Sequence, residues 1–164
     1  MINNEVNNLC RGICEKLTLN LEGFKQMLEL TQQLEAKSPD NEVEPIHEMF
    51  EQRQVLINKV DEVNKEINVI HNQIINILNI RSFTLESLES YISDEMYKSL
   101  TTIYSQLNNV IVQIEAIDKE YKEKAEMARE AIKLQILRFH SALRKNQMYH
   151  KNHKLAPRFV DKKG

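Results

Sequence analysis

The sequence predicts an all-α protein, an elongated antiparallel bundle of three long helices with coiled-coil-like packing. Three observations carry this. Glycine and proline number three each in 164 residues, against averages of roughly 7% and 5%, and β architectures need such turn residues every few positions. The interval Ile46–Ala156 contains neither residue. Apolar side chains also recur at three- and four-residue steps along most of the chain. With 41% hydrophobic and 28% charged residues, the chain has the material for one core and is not disordered by composition.

The first helix is expected from about Asn4 to Lys37, where Val6, Leu9, Ile13, Leu17, Phe24, Met27, Thr31 and Leu34 form an apolar row. Gly12, Gly23 and the Leu19-Asn20-Leu21 stretch leave room for a break near residues 18–22. Ser38-Pro39-Asp40-Asn41 is a turn cluster, and Pro45 suits a helical first turn, where a missing amide donor costs nothing. The second helix therefore starts there and runs to about Ile80. Its heptad row is Ile46, Met49, Arg53, Leu56, Val60, Val63, Ile67, Ile70, Ile74, Ile77 and Arg81, apolar at nine of eleven positions. Such regularity indicates coiled-coil packing. Across residues 81–93 the chain reverses, with a short helix expected over Leu85, Leu88 and Tyr91.

Ser93 followed by Asp94 and Glu95 is a helix start, a hydroxyl cap with acids at the positive end of the dipole. The third helix follows Met96, Leu100, Ile103, Leu107, Val110, Ile114, Ile117 and Tyr121, then shifts register to Ala125, Ala128, Ile132, Ile136, Phe139 and Leu143. The inserted four-residue step is a stutter. At ~1.5 Å per residue, Ile46–Ile80 spans roughly 52 Å and Asp94–Met148 about 82 Å. The second helix covers the third only to about Ala128, so the apolar row beyond has two fates. A kink near Tyr121 folds it onto the bundle as a fourth core helix, or it stays exposed as a binding surface or dimer seam.

Charge is unevenly placed. Arg144–Gly164 holds seven Lys plus Arg and one Asp, net +6, while the fifteen bases and twenty-three acids of Met1–Leu143 give −8. A bundle domain over residues 1–148 is thus followed by a basic tail over 149–164, either solvated or docked on an acidic surface. Nucleic acid is not the expected partner, because Tyr149 and Phe159 supply few stacking groups. Asn64, Asn68, Asn72 and Asn76, together with Thr101, Thr102, Ser105, Gln106, Asn108 and Asn109, leave the end of the bundle near residues 81–93 largely uncharged.

No enzyme motif is complete, and no cofactor is expected. His47-Glu48 begins like a zinc-protease helix, yet the position four residues after His47 is Glu51, not a second histidine. No two glycines lie within ten residues of each other, so no loop cradles phosphate. Cys10 and Cys14 lack the second pair that a zinc site needs and are expected to pack as small apolar groups. His71, His150 and His153 read as surface histidines. Residues Met1–Cys10 carry no basic region followed by an apolar run, and the uncharged stretches are too short and too polar for a ~20-residue span. A cytoplasmic location without membrane insertion is expected.

The segment Phe50-Glu51-Gln52-Arg53-Gln54-Val55-Leu56-Ile57, an Arg ahead of a Leu-Ile pair, resembles FliT-like flagellar export chaperones. The C-terminal region resembles them more specifically. There a basic helix end, Leu143-Arg144-Lys145-Asn146-Gln147-Met148-Tyr149, is followed by a spacer and Arg158-Phe159-Val160-Asp161-Lys162-Lys163, similar to the aromatic-x-Asp-Lys-Lys ending of Gram-positive members. Phe24–Thr31 is similar in style. This chain has additional sequence over about 58–92, which keeps the related FlgN-like chaperones of hook-filament junction proteins as the alternative.

The resemblance implies a small cytoplasmic protein that holds an unassembled flagellar subunit, the filament cap protein, and presents it to the flagellar export apparatus. The expected client surface is Ile132, Ile136, Phe139 and Leu143, joined by Leu134 and Leu137, with the tail containing Tyr149 and Phe159 occupying or releasing it. Arg53, inside an apolar row, is expected to pair with Glu115, Asp118 or Glu123 and fix register. A homodimeric coiled-coil protein, using the same row as its seam, is the competing class.

Overall fold

The computed structural model describes residues 3–37 and 43–153. They form α1 (Asn4–Ala36), α2 (Val43–Leu78), α3 (Leu85–Leu88) and α4 (Asp94–His153). An all-α bundle forms as the composition requires, with α1 packed against both α2 and α4. The cluster Ser38-Pro39-Asp40-Asn41 lies outside the described residues. The chain divides into two units, Met1–Tyr121 and Lys122–Gly164. That boundary falls at the step in the apolar register.

In the first unit the helices run up, down and up. Asn20 meets Asn64, Lys16 pairs with Glu66 and Gly12 faces Ile70, so α1 and α2 are antiparallel. Ser93 is bonded to Asn7 and Met96 lies against Cys14, which makes α4 parallel to α1. Val6, Cys10, Ile13, Leu17, Leu21 and Met27 of α1 close on Leu56, Ile67 and Ile74 of α2 and on Leu100, Ile103, Leu107, Val110 and Ile114 of α4. The α4 row keeps three- and four-residue steps throughout, as the α1 row does from Val6 to Leu21, so one stripe of each helix reaches the shared core.

No break forms near residues 18–22, and α1 is continuous. A Cβ on Gly12 would lie 3.8 Å from Ile70 Cδ1, and one on Gly23 would lie 3.4 Å from Val60 Cγ2, both ordinary contacts. Neither glycine has a positive φ. Glycine in mid-helix costs roughly 0.5–1 kcal/mol relative to alanine. Gly12→Ala is therefore expected to stabilise the protein by about that amount in urea denaturation; a loss would mean that α1 and α2 approach more closely there.

Local chemistry sets the helix ends. Asn3 Oδ1 accepts from the amides of Glu5 and Val6, which caps α1. Asn79, at φ 51°, takes the left-handed position after α2, and the Ile80 amide reaches back to the Ile75 carbonyl at 3.2 Å. This is a Schellman closure with asparagine in the place usually held by glycine. It ends α2 two residues before the expected limit and leaves Arg81 outside the helix and exposed. Thr84 and Ser87 form a reciprocal capping box on α3. Ser93 Oγ accepts from the Met96 amide and starts α4 as expected.

The second unit consists, in its described part, of α4 from Lys122 to His153. The helix is unbroken at Tyr121, so the alternative of a fourth helix made from its C-terminal part is not adopted; the fourth helical element is the short α3.

Candidate protein-interaction surface

Ile132, Ile136, Phe139 and Leu143 all lie on α4 and are between 42% and 63% exposed. Their steps of four, three and four residues place them within about 60° of one another on a 3.6-residue helix. They form one apolar row, as expected. Leu134 and Leu137 are equally exposed, but the same geometry turns them to the opposite side of α4, together with Met148. The sequence reading had put them on the same surface. This stretch of α4 is thus amphipathic twice over, with two apolar rows back to back. The Tyr149 side chain and Phe159 lie outside the described residues.

The charged groups flanking the second row are basic, and Ser141 lies on its centre line. Arg138 and Lys145 flank it on one side, and Arg144 and Lys133 on the other. Lys133 is held by Glu130 at 3.6 Å, and no carboxylate occurs between Ala131 and Met148. The first row is bordered instead by neutral groups such as Gln135, Ala142 and Asn146.

In the first unit, Arg53 donates from Nη1 to Asp118 Oδ1 at 2.8 Å and from Nη2 to Oδ2 at 2.7 Å. Of the three acids named as candidates, Asp118 is the partner, joining α2 to α4. Two adjoining clefts, of about 370 and 390 Å³, run along the groove between α1 and α2 and share Gln26 and Leu56. Leu30, Val55, Leu56, Val60 and Val63 give them an apolar floor, and Glu22, Glu29 and Glu62 line their edges. Asn20, buried in this region, donates to Asn64 Oδ1 at 2.8 Å. A third cleft, of about 420 Å³ between α1 and α4, is lined by Thr18, Ser99, Thr102 and Gln106 together with the charged Glu95 and Lys98, so the neutral polar face noted in the sequence reaches it only in part.

The two cysteines of the bundle act as packing elements. Burial, with Cys14 adding to it, pushes the Cys10 thiol up to about 12. Burial raises the Cys14 thiol as well, helped by Glu15. Both stay protonated at neutral pH, in keeping with the small apolar role expected of free cysteines. His71 differs from expectation: it is half-buried and stacks on Phe83 with ring centroids 3.9 Å apart, and its buried Nε2 has no hydrogen-bond partner. Burial lowers its pKa below the ordinary value. Because the unfolded chain takes up this proton first, the neutral ring's contribution is intact above ~6.5 and declines as pH falls below that value. His71→Phe, which keeps the stack without the titration, should narrow the drop in thermal midpoint between about pH 7.5 and 5.5. An equal drop in both proteins would assign the pH dependence elsewhere.

Among the described residues no group of His, Cys, Asp and Glu is arranged to hold a metal ion, and no helix is long and apolar enough to cross a membrane. In comparisons with known proteins, no family model matches the chain, and no curated protein or solved structure matches it.

Proposed function

We propose that this chain is a FliT-like flagellar export chaperone. It acts in the cytoplasm without catalysis, holding the unassembled filament cap protein against premature assembly and handing it to the type III export apparatus. The observation that carries this reading is the exposed quartet Ile132, Ile136, Phe139 and Leu143 on a continuous helix. A row of large apolar side chains kept in water is a partner surface by default. It is matched to an amphipathic helix that lays its own apolar face along it through anchors three and four residues apart. The Arg-Leu-Ile segment at Arg53–Ile57 and the basic aromatic ending around Phe159 direct the choice of client class. In this reading the tail carrying Tyr149 and Phe159 competes with the client for the row, and the Arg53–Asp118 pair holds α2 in register with α4.

A FlgN-like role with hook-filament junction proteins as clients is favoured by one observation, the 36-residue length of α2, which includes part of the additional sequence. A pull-down from the lysate of a flagellated host separates the two. The full chain is expected to enrich the cap protein, and an Ile136→Asp/Phe139→Asp variant is expected to enrich neither client. Junction proteins in place of the cap protein would select the FlgN-like role, and equal recovery by both baits would remove the quartet from the site.

A further inference from the structure

We propose that the groove between α1 and α2 is a docking site for a basic amphipathic helix of a partner protein, whose Lys and Arg side chains meet the glutamates on the groove edges. The site uses none of the residues of the α4 row and does not depend on the export role.

Three features define the occupant, and the first is shape. The groove floor is apolar, with Leu30 and Val63 half-buried and Leu19 and Val55 more than half in water. No residue of α4 lines either cleft, so this side of the α1–α2 pair is left uncovered by the described residues. A helix laid there takes the fourth position of a four-helix bundle, with an apolar stripe at three- and four-residue steps against the floor. The groove follows α1 from Leu19 to Gln33, about 21 Å, the length of about 14 helical residues at ~1.5 Å each.

The second feature is charge. Glu22, Glu29 and Glu62 line the edges and are exposed. None of them is in an ion pair among the described residues, and Lys59 is the one cation in the lining among those residues. Glu22 and Glu29 stand one heptad apart on α1, roughly 10 Å, so cations at heptad spacing on the partner meet both. Facing charges of opposite sign select such a helix over an acidic one and fix its register.

The third feature is an acceptor. Asn20 lines the cleft that Glu22 and Glu62 border, and it is only 3% exposed. Its Nδ2 donates to Asn64, while its Oδ1 is buried without a hydrogen-bond partner among the described residues. An acceptor in this state is costly to leave unmade. A lysine or arginine entering between Glu22 and Glu62 brings N–H donors to this wall, whereas a carboxylate or an aliphatic side chain brings none.

Fluorescence anisotropy of a labelled model peptide of about 14 residues, titrated with the full chain, tests this. The probe is an amphipathic helix with a leucine stripe flanked by Lys and Arg, and its counterpart carries Glu in place of every Lys and Arg. Two variants are compared with the unaltered chain. Glu22→Lys/Glu29→Lys/Glu62→Lys reverses the groove edges, and Glu89→Lys/Glu115→Lys/Glu120→Lys makes the same change in net charge at residues that do not line the groove. All six side chains are exposed, and circular dichroism confirms that each variant keeps its helices. The basic peptide is expected to bind the unaltered chain and the second variant alike, in the micromolar range. The acidic peptide should bind the unaltered chain at least ~10-fold more weakly, and the groove variant should invert that preference. Ile136→Asp/Phe139→Asp should leave the basic peptide's affinity unchanged, which separates this site from the client row. The proposal is overturned by a basic peptide that does not bind, by equal binding of the two peptides, by equal losses in the two charge variants, or by a loss in the α4 variant.

Discussion

Replacing Ile136 and Phe139 with aspartate is expected to abolish client binding while leaving the thermal midpoint within about 2–4 °C of the original protein. Both side chains are largely in water, so their removal takes away no core contact, and exposed substitutions usually change stability by no more than ~0.5 kcal/mol. Binding depends on the same atoms in the opposite way. A central aromatic or aliphatic anchor contributes about 2 kcal/mol or more to an interface, and a buried carboxylate in its place adds a desolvation cost. Phe139→Ala alone should weaken the complex about 30-fold, and the double aspartate should take it beyond detection. Titration calorimetry beside a circular dichroism melt reads both quantities. A parallel loss of helix and affinity would show that the row is structural.

Arg53→Ala is expected to be the most damaging single change in the charged groups of the bundle. The Arg53 side chain is only 11% exposed, and its guanidinium makes two parallel bonds to Asp118, the geometry in which an arginine is strongest. Asp118 is 40% exposed, so water recovers part of its solvation once the partner is gone. The cost should fall below the 3–5 kcal/mol of a fully buried pair, at about 2 kcal/mol. For a chain of this size that is roughly 4–8 °C in thermal midpoint. Arg53→Lys, which keeps the charge but not the fork, should lose about half as much. The double change Arg53→Ala/Asp118→Ala should cost less than the sum of the two singles, by about 1 kcal/mol. Strict additivity would mean that the pair does not join α2 to α4.

The helices were legible because periodicity and punctuation agree. Nothing between Ile46 and Ala156 interrupts a helix except a capping signal, and the Ser93 start and the Arg53 partner set followed from the heptad row. The end of α2 was missed because Asn79 adopts the left-handed closing position that is usually given to glycine, and only backbone geometry reveals that. Gly12 and Gly23 looked like breaks, yet helix packing absorbs both. His71 follows Ile70 and read as a surface group; its stack on Phe83 joins α2 to the loop after it, a contact that no spacing rule announces.

The candidate surface was half legible. Its residues were identified from an apolar row that outran its partner helix. The opposition of Leu134 and Leu137 to Ile136 and Phe139 follows from the 3.6-residue turn once the helix is known to continue without a kink. The groove between α1 and α2 was not legible at all, because it is built from two helices whose facing registers are set in space by contacts such as Asn20 with Asn64.

The chaperone role is tested most directly by titrating the purified full chain with purified filament cap protein, with a hook-filament junction protein as the parallel titrant. A one-to-one complex with the cap protein at micromolar or tighter affinity, lost in the Ile136→Asp/Phe139→Asp variant, is the expected result. No heat and no co-elution with the cap protein, or binding that survives the double substitution, would contradict capture of the cap protein by α4.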